Sequence, residues 1–551
     1  MNTLNRRSVL LAGLGAAGAG LLAACSDAPR AAGPTLLSPS APAVATAEEK
    51  RRRAGGKERR VRLTATAGTV DLGADKTVRT WSFDGQLPGK EIRLTAGDTL
   101  VADLANHLPT STSVHWHGLA LRNDMDGVPP VTQRAVAPGG SFSYRFLTDT
   151  PGTYWFHPHV GVQLDRGLYG PLIVEDPHEP LGYDDEWVVV LDDWLDGVTG
   201  TPDQALATLR RGMGGSPSHG DKGHDAKDHG GGDNKGAHGG MDGMSGMSGM
   251  GGDMDMGDKG SGMDGMSGMD MDDPFMLMGA TSKLLGGDAG DVKYPHYLVN
   301  GRVPAAPATY RGKPGRKLRL RIINAGGDTA FRVALGGHRL TVTHTDGYPV
   351  EHQPADALLL GPGERYDAVV TLDDGVFPLV AVAEGKGAAG LALVRTGSGD
   401  APSADVRPKE LNGRIPTAAS LRAADEVRLK PRTPDVTHRI ELTGSMAKYD
   451  WALNGRPFDM NHADAHPYAV ESGQRVRLQY RNTTDMWHPM HVHGHTPQLG
   501  ASGPRKDTVI VLPGATVTCD FDADNPGRWL LHCHNAYHGE SGMMGLVGYR
   551  G

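Results

Sequence analysis

His532-Cys533-His534, followed by His538 and Met543, gathers imidazoles, a thiolate and a thioether in one short stretch. On a β-strand, alternation sends His532 and His534 to one face and Cys533 to the other, so two metal centres can share the tripeptide. The Cys533 face, with His538 and Met543, carries the thiolate, imidazole and weak thioether of a blue-copper electron-transfer site and lacks only a second imidazole. Copper redox chemistry is the expectation these residues set.

Strands must position such a tripeptide, and the composition suits strands. The 551 residues suffice for three or four domains, and 78 Gly and 37 Pro with few aromatics favour many turns and short strands. An all-β, multidomain protein is expected. The formal net charge of −8 offers no concentrated basic face, which argues against a nucleic-acid partner. Of the three cysteines, Cys25 falls in the leader and Cys533 in the metal-like stretch. Cys519 alternates with Val517 and Phe521 as an inert core thiol would, so no disulfide framework can be drawn.

Three internal repeats organise the chain. Trp81-Ser82-Phe83-Asp84-Gly85, Tyr297-Leu298-Val299-Asn300-Gly301 and Trp451-Ala452-Leu453-Asn454-Gly455 each open a unit, and each unit then runs through an alternating strand to an asparagine: Asn106, Asn324 or Asn482. Nine and eleven residues beyond the asparagine stand His115 and His117 in the first unit, His491 and His493 in the third, but Val333 and Leu335 in the second. Nineteen and twenty-one residues beyond the proline of a Pro-Gly turn (Pro138, Pro362, Pro513) stand His157 and His159, Ala381 and Ala383, and His532 and His534. The outer units carry matched histidine pairs where the middle unit is apolar. Within each pair both side chains face one way on a strand. Eight histidines thus belong to one site between the first and third units, with the middle unit as spacer.

The remaining segments differ in kind. Asn5-Arg6-Arg7-Ser8-Val9-Leu10 and the apolar run Leu11–Ala24 read as a twin-arginine export signal, and Leu22-Ala23-Ala24-Cys25 resembles a bacterial lipobox. A lipid-anchored protein on the cell surface or periplasmic side is expected, or a secreted one if Cys25 is discarded. Residues 26–60, Ala/Pro/Ser-rich and then basic, read as a disordered tether. Residues 213–278 form an insertion with Met241, Met244, Met247, Met250, Met254, Met256, Met263, Met266, Met269 and Met271, preceded by His219, His224, His229 and His238. Its 12 Asp against 4 Lys and its lack of an apolar face predict disorder, while its thioethers favour Cu(I), so it is expected to collect additional copper.

His-Trp-His-Gly at 115–118, His-Pro-His at 157–159, His-Pro-Met-His-Val-His-Gly at 488–494 and the stretch 532–543 resemble the motifs of the multicopper oxidase family, in its three-domain laccase-like and copper-tolerance branches. The resemblance implies three cupredoxin-like Greek-key β-sandwiches: 61–180, 181–410 with the insertion, and 411–551. It implies four coppers per chain. A type 1 copper would be held by His488, Cys533, His538 and axial Met543; His488 stands six residues after Asn482, where the other units have Thr112 and Ala330. A type 2 copper would take His115 and His491. A type 3 pair would take His117, His157 and His534 on one ion, and His159, His493 and His532 on the other.

Asp126 matches the family's acidic residue beside the oxygen channel and is the expected proton donor. The second donor of some relatives is replaced by Gly539, with Glu540 one place later. Asp485 and Met486 resemble the place where copper-tolerance relatives bring substrate Cu(I) close to the type 1 site. The implied activity is oxidation of Cu(I), or of phenols and other metal ions, with O2 reduced to water, in copper detoxification. The alternatives are a general laccase and a non-catalytic copper-storage protein.

Overall fold

The computed structural model describes residues 35–212 and 273–551; the leader, the start of the expected tether and insertion residues 213–272 lie outside the described residues. The architecture is all-β, in three sandwiches. The first pairs two four-stranded sheets, the second a six-stranded with a five-stranded sheet, and the third two five-stranded sheets. In the first, Leu63 and Leu100 of one sheet and Trp116, Phe156 and Leu172 of the other fill a common core.

The sequence markers turn out to be structural fixtures. Asp84-Gly85, Asn300-Gly301 and Asn454-Gly455 all have positive φ at both positions and are closed by Phe83–Gln86, Val299–Arg302 and Leu453–Arg456 bridges. Such turns fit the right-handed twist of a hairpin and select Asn, Asp and Gly. The three asparagines are buried clamps. Asn106 Nδ2 donates to Thr110 O and Val136 O, Asn324 Nδ2 to Thr329 O and Leu360 O, and Asn482 Nδ2 to Met486 O and Val511 O. Each therefore ties the end of one strand to the segment that leads into the next.

From these clamps the ligand-bearing strands keep one register. His115–His117 pairs antiparallel with Gly152–His157, setting His115 opposite His157. His488–Val492 pairs with Arg528–Cys533, setting His491 opposite His532. In the middle domain Phe331–Leu335 pairs with Val376–Ala383, setting Val333 opposite Ala381, and both are fully buried. One register thus serves imidazole pairs in the outer domains and core packing in the middle one.

Three sequence expectations need correction. Residues 35–60 are not a disordered tether. Leu36 bridges Arg550, Leu37 N donates to Tyr549 O, and Pro42–Arg51 forms a helix. Its Pro at the first turn, its Ala, Glu and Lys residues and its basic last turn favour a helix, but ten residues are too few to hold one alone. Tertiary contact supplies the rest: Val44 is 2% exposed, and Glu48 Oε1 accepts from Leu147 N at 2.8 Å. The end of the insertion is also ordered. Met276 bridges Val292, and Phe275 packs on the core. Finally, the start of the expected third domain belongs with the second, because Leu411 packs with Ala334, Ala357 and Val380.

Candidate metal centres

The two registers bring eight histidines together between the first and third domains, none more than 8% exposed. His493 Nε2 and His532 Nε2 are 3.1 Å apart, and His159 Nε2 and His532 Nε2 are 3.4 Å apart. The rings of His117, His157 and His534 have centroids 4.8 to 5.7 Å apart. His115 stacks on His493 at 3.8 Å, and His117 on His491 at 3.9 Å.

The rear nitrogens are mostly occupied, which fixes what the front ones can do. Nδ1 of His115, His157, His491 and His532 meets the main-chain oxygen of Asp126, Pro158, Asp507 and Cys533 respectively, at 2.8 to 2.9 Å. His493 Nδ1 lies 3.0 Å from Asp126 Oδ2, and His117 Nε2 lies 3.1 Å from Asp507 Oδ1. Left buried without a partner are His115 Nε2, His117 Nδ1, His157 Nε2, His491 Nε2 and both nitrogens of His534. Buried polar atoms are rarely left unsatisfied, and imidazole nitrogens presented this way are the donors a metal takes. Burial first, and then neighbouring imidazoles, hold His117, His157, His159, His493, His532 and His534 well below the ordinary histidine range. They stay neutral, as copper ligands must be.

Cys533 points away from this cluster, as strand alternation requires. Its Sγ lies 3.7 Å from His488 Nδ1 and 3.7 Å from His538 Nδ1, which are 3.0 Å from each other. Met543 is fully buried, and its main chain bonds to both His538 O and Cys533 N. Thr484 Oγ1 at 2.8 Å holds the rear of His488, and Asp291 Oδ2 at 2.8 Å holds the rear of His538. Burial works against a charge on His538, but Asp291 and then the Cys533 sulfur outweigh it and raise the imidazole to about 10, so copper bound there displaces a proton. The donor set of two imidazoles, one thiolate and a nearby thioether fits a blue-copper site.

The carboxylates divide into those the sequence signalled and those it did not. Asp126 is fully buried, with Oδ1 3.2 Å from His115 Nδ1 as well as Oδ2 on His493. Asp291 and Asp507 are not signalled by the sequence, because aspartate also stands at the matching positions Asp75 and Asp356, the latter in the unit without histidine pairs. Met486 is 2% exposed within the core, and its neighbour Asp485 is exposed.

Gly539 also has a local reason. A Cβ there would sit 3.0 Å from Cys533 O, tighter than ordinary contact. Glu540 instead lines a crevice with His157, His159, His532 and His534, and burial pushes its carboxyl up to about 7. Cys519 is a buried free thiol whose ionisation burial opposes.

His495, just past the cluster, gives a pH prediction. Its Nδ1 meets His493 O and its Nε2 meets Tyr549 Oη at 2.7 Å, and burial lowers it from 6.5 to about 4. The unfolded chain therefore takes up this proton first. Stability present above about pH 6.5 is lost as pH falls to about 4, by about 3 kcal/mol. Urea unfolding across that range should show a shallower decline in His495→Gln than in the parent; equal slopes would refute it.

A cluster of imidazoles shared by two sandwiches, beside a thiolate site built in one of them, defines a multidomain copper protein of the cupredoxin type. Family models described as multicopper oxidase match residues 64–179, 279–398 and 431–550. Multicopper oxidase MmcO of Mycobacterium tuberculosis is 44% identical across 99% of this chain and 96% of its own. Copper resistance protein A of Escherichia coli is 27% identical over 88% of this chain and 91% of its own, and Laccase-2 of Cryptococcus neoformans 25% over 85% and 80%. Among solved structures, Fet3p, titled a multicopper oxidase that functions in iron import, superposes with a TM-score of 0.66 at 20% identity, covering 90% of its chain and 89% of this one. The laccase from Botrytis aclada does so with a TM-score of 0.66 at 23% identity, covering 88% and 90% respectively. The chain belongs to the multicopper oxidase family, and is a copper-dependent oxidoreductase.

Proposed function

We propose that this protein oxidises Cu(I) and passes the electrons to O2, four for each molecule reduced to water, as a means of copper detoxification. The observation that carries this reading is where the methionine-rich segment is rooted. Before it, the helix Pro202–Arg210 ends with Arg210 donating to Glu540 O, two residues from His538. After it, Leu277 N donates to Asp291 O at 2.8 Å, and Asp291 holds His538. The described residues on either side of 213–272 thus stand beside the Cys533 site, and the thioethers of that segment suit Cu(I). The copper resistance proteins among the relatives support the same reading.

In this reading His488, Cys533, His538 and Met543 hold the type 1 copper, His115 and His491 the type 2, and the other six histidines the type 3 pair in the two triads named from the sequence. Bound there, copper supplies one-electron chemistry at the first site and oxygen reduction at the second. The chain supplies the rest. Cys533 is bonded through the main chain to His532 and His534, a covalent path between the sites. Burial keeps bulk water from both, the cluster meeting solvent at the crevice that Glu540 lines. Asp126 Oδ2 accepts from His493 Nδ1 and can hold a proton beside the cluster. Export on the Arg6-Arg7 signal and anchoring at Cys25 complete the proposal; among the described residues no helix is long and apolar enough to cross a membrane.

Phenol oxidation is the second reading. It is favoured by an apolar groove of about 600 Å³ lined by Leu359, Ile415, Leu499, Val509, Ile510 and Leu512, and by the laccases among the relatives. The strand flooring it, Thr508–Val511, sets Val511 opposite His488. Deleting residues 213–272 separates the two. The KM for Cu(I) should rise about tenfold with kcat kept, while phenol turnover is unaltered. Unchanged Cu(I) kinetics at low copper would reject the Cu(I) reading, and copper binding without oxygen uptake would point to storage.

A further inference from the structure

All three domains meet on one guanidinium. Arg365, from the middle domain that carries no ligand, is fully buried; its Nε donates to Thr153 O of the first domain at 3.1 Å and its Nη1 to Gly363 O at 3.1 Å. Nη1 and Nη2 then donate to Asp507 Oδ1 and Oδ2 of the third domain, each at 2.7 Å. This is the paired geometry in which arginine holds a carboxylate most firmly.

Asp507 passes that grip to the cluster. Its Oδ1 accepts from His117 Nε2 at 3.1 Å, and its main-chain oxygen accepts from His491 Nδ1 at 2.9 Å. The nitrogens left without partners are His117 Nδ1 and His491 Nε2. The two histidines therefore present opposite ring nitrogens, and Asp507 backs both choices together with Thr508 Oγ1, which lies 3.3 Å from His117 Nε2 and 3.1 Å from His491 Nδ1 and donates to Asp507 Oδ1. The residues flanking Asp507 are held from the same domain: Lys506 Nζ lies 3.1 Å from both Asp346 Oδ2 and Glu364 Oε1, and Thr508 N donates to Asp346 Oδ2 at 3.1 Å. The fit is close enough to dictate sequence elsewhere. At Gly118, with φ +87°, a Cβ would run into Arg365 Nη2 and stand 2.8 Å from Asp507 Oδ2. The glycine of His-Trp-His-Gly is the space this ion pair occupies.

We propose that Arg365 is a positioning residue for the copper cluster. By fixing Asp507 it sets which nitrogens His117 and His491 offer, so the domain without ligands governs the type 2 end of the site. The alternative is an ion pair that only docks domains, a role Lys506 fills without touching a cluster histidine. Removing the guanidinium leaves Asp507 a buried anion short of its partner, free to turn away from His117.

The inference rests on the reading of the eight histidines as copper ligands. Its test compares the copper-loaded parent with Arg365→Lys and Lys506→Met, reading blue absorption, the type 2 signal in electron paramagnetic resonance, and copper retained against a chelator. Arg365→Lys should keep the blue absorption, alter or lose the type 2 signal, and release cluster copper at roughly 10- to 100-fold lower chelator. Lys506→Met should keep the parental type 2 signal. Asp507→Asn, nearly isosteric, carries the same expectation if Arg365→Lys does not fold. A parental type 2 signal and retention in Arg365→Lys would overturn the proposal, as would equal losses in Lys506→Met. A parent that binds copper with no type 2 signal would overturn the ligand assignment itself, a separate failure.

Discussion

Replacing Cys533 with serine should give a colourless protein that no longer oxidises any donor, yet still binds copper at the eight histidines. Sγ lies 3.7 Å from both His488 Nδ1 and His538 Nδ1, and a serine hydroxyl does not ionise to take its place. The cluster should survive because the Cys533 side chain faces away from it, and His532 Nδ1 bonds the Cys533 main-chain oxygen, which serine keeps. Metal analysis should find one copper fewer per chain, and absorption should lose the blue band. A coloured variant, or one that loses all its copper, would refute the division into two sites.

Asp126→Asn should produce the opposite split. The type 1 site has no contact with Asp126, so a donor should still bleach the blue colour anaerobically at the parental rate. Oxygen uptake should fall by about 10²-fold or more, the usual span for loss of a positioned acid or base. Asparagine keeps the shape but removes the charge that faces His493 Nδ1 at 3.0 Å and His115 Nδ1 at 3.2 Å. Slow bleaching would mean that the variant had damaged the fold. Normal oxygen uptake would assign the proton to another group, with Glu540 in the crevice the next to examine.

The features legible in the sequence are those that recur. Asn106, Asn324 and Asn482 could serve as origins for counting because each clamps the same strand to the same neighbour, and the histidine pairs fall at fixed distances because the register beyond the clamp is shared. Arg365 occurs once, and Asp507 and Asp291 fall where other units also carry aspartate, at Asp356 and Asp75, so comparing units does not mark them as partners of the ligands. Their role comes from the way domains dock. The helix at Pro42–Arg51 was missed for a related reason. Its composition is that of a weak, solvated segment, and what orders it is Leu147, about a hundred residues away.

Segments 35–37 and 549–551 run side by side, with Leu37 N on Tyr549 O and Gly551 N on Thr35 O. Any load carried in through the chain before residue 35 enters the body at the last strand of the third sandwich, the one that builds the Cys533 site. It reaches the first sandwich through the helix that follows and through Arg528, which bonds both Leu37 O and Asn123. A fusion or surface attachment made at residue 551 would leave from the same edge as one made upstream of residue 35, so neither choice would turn the enzyme over on an electrode. Joining residue 551 to residue 35 by a short linker would need to span only that one bridge.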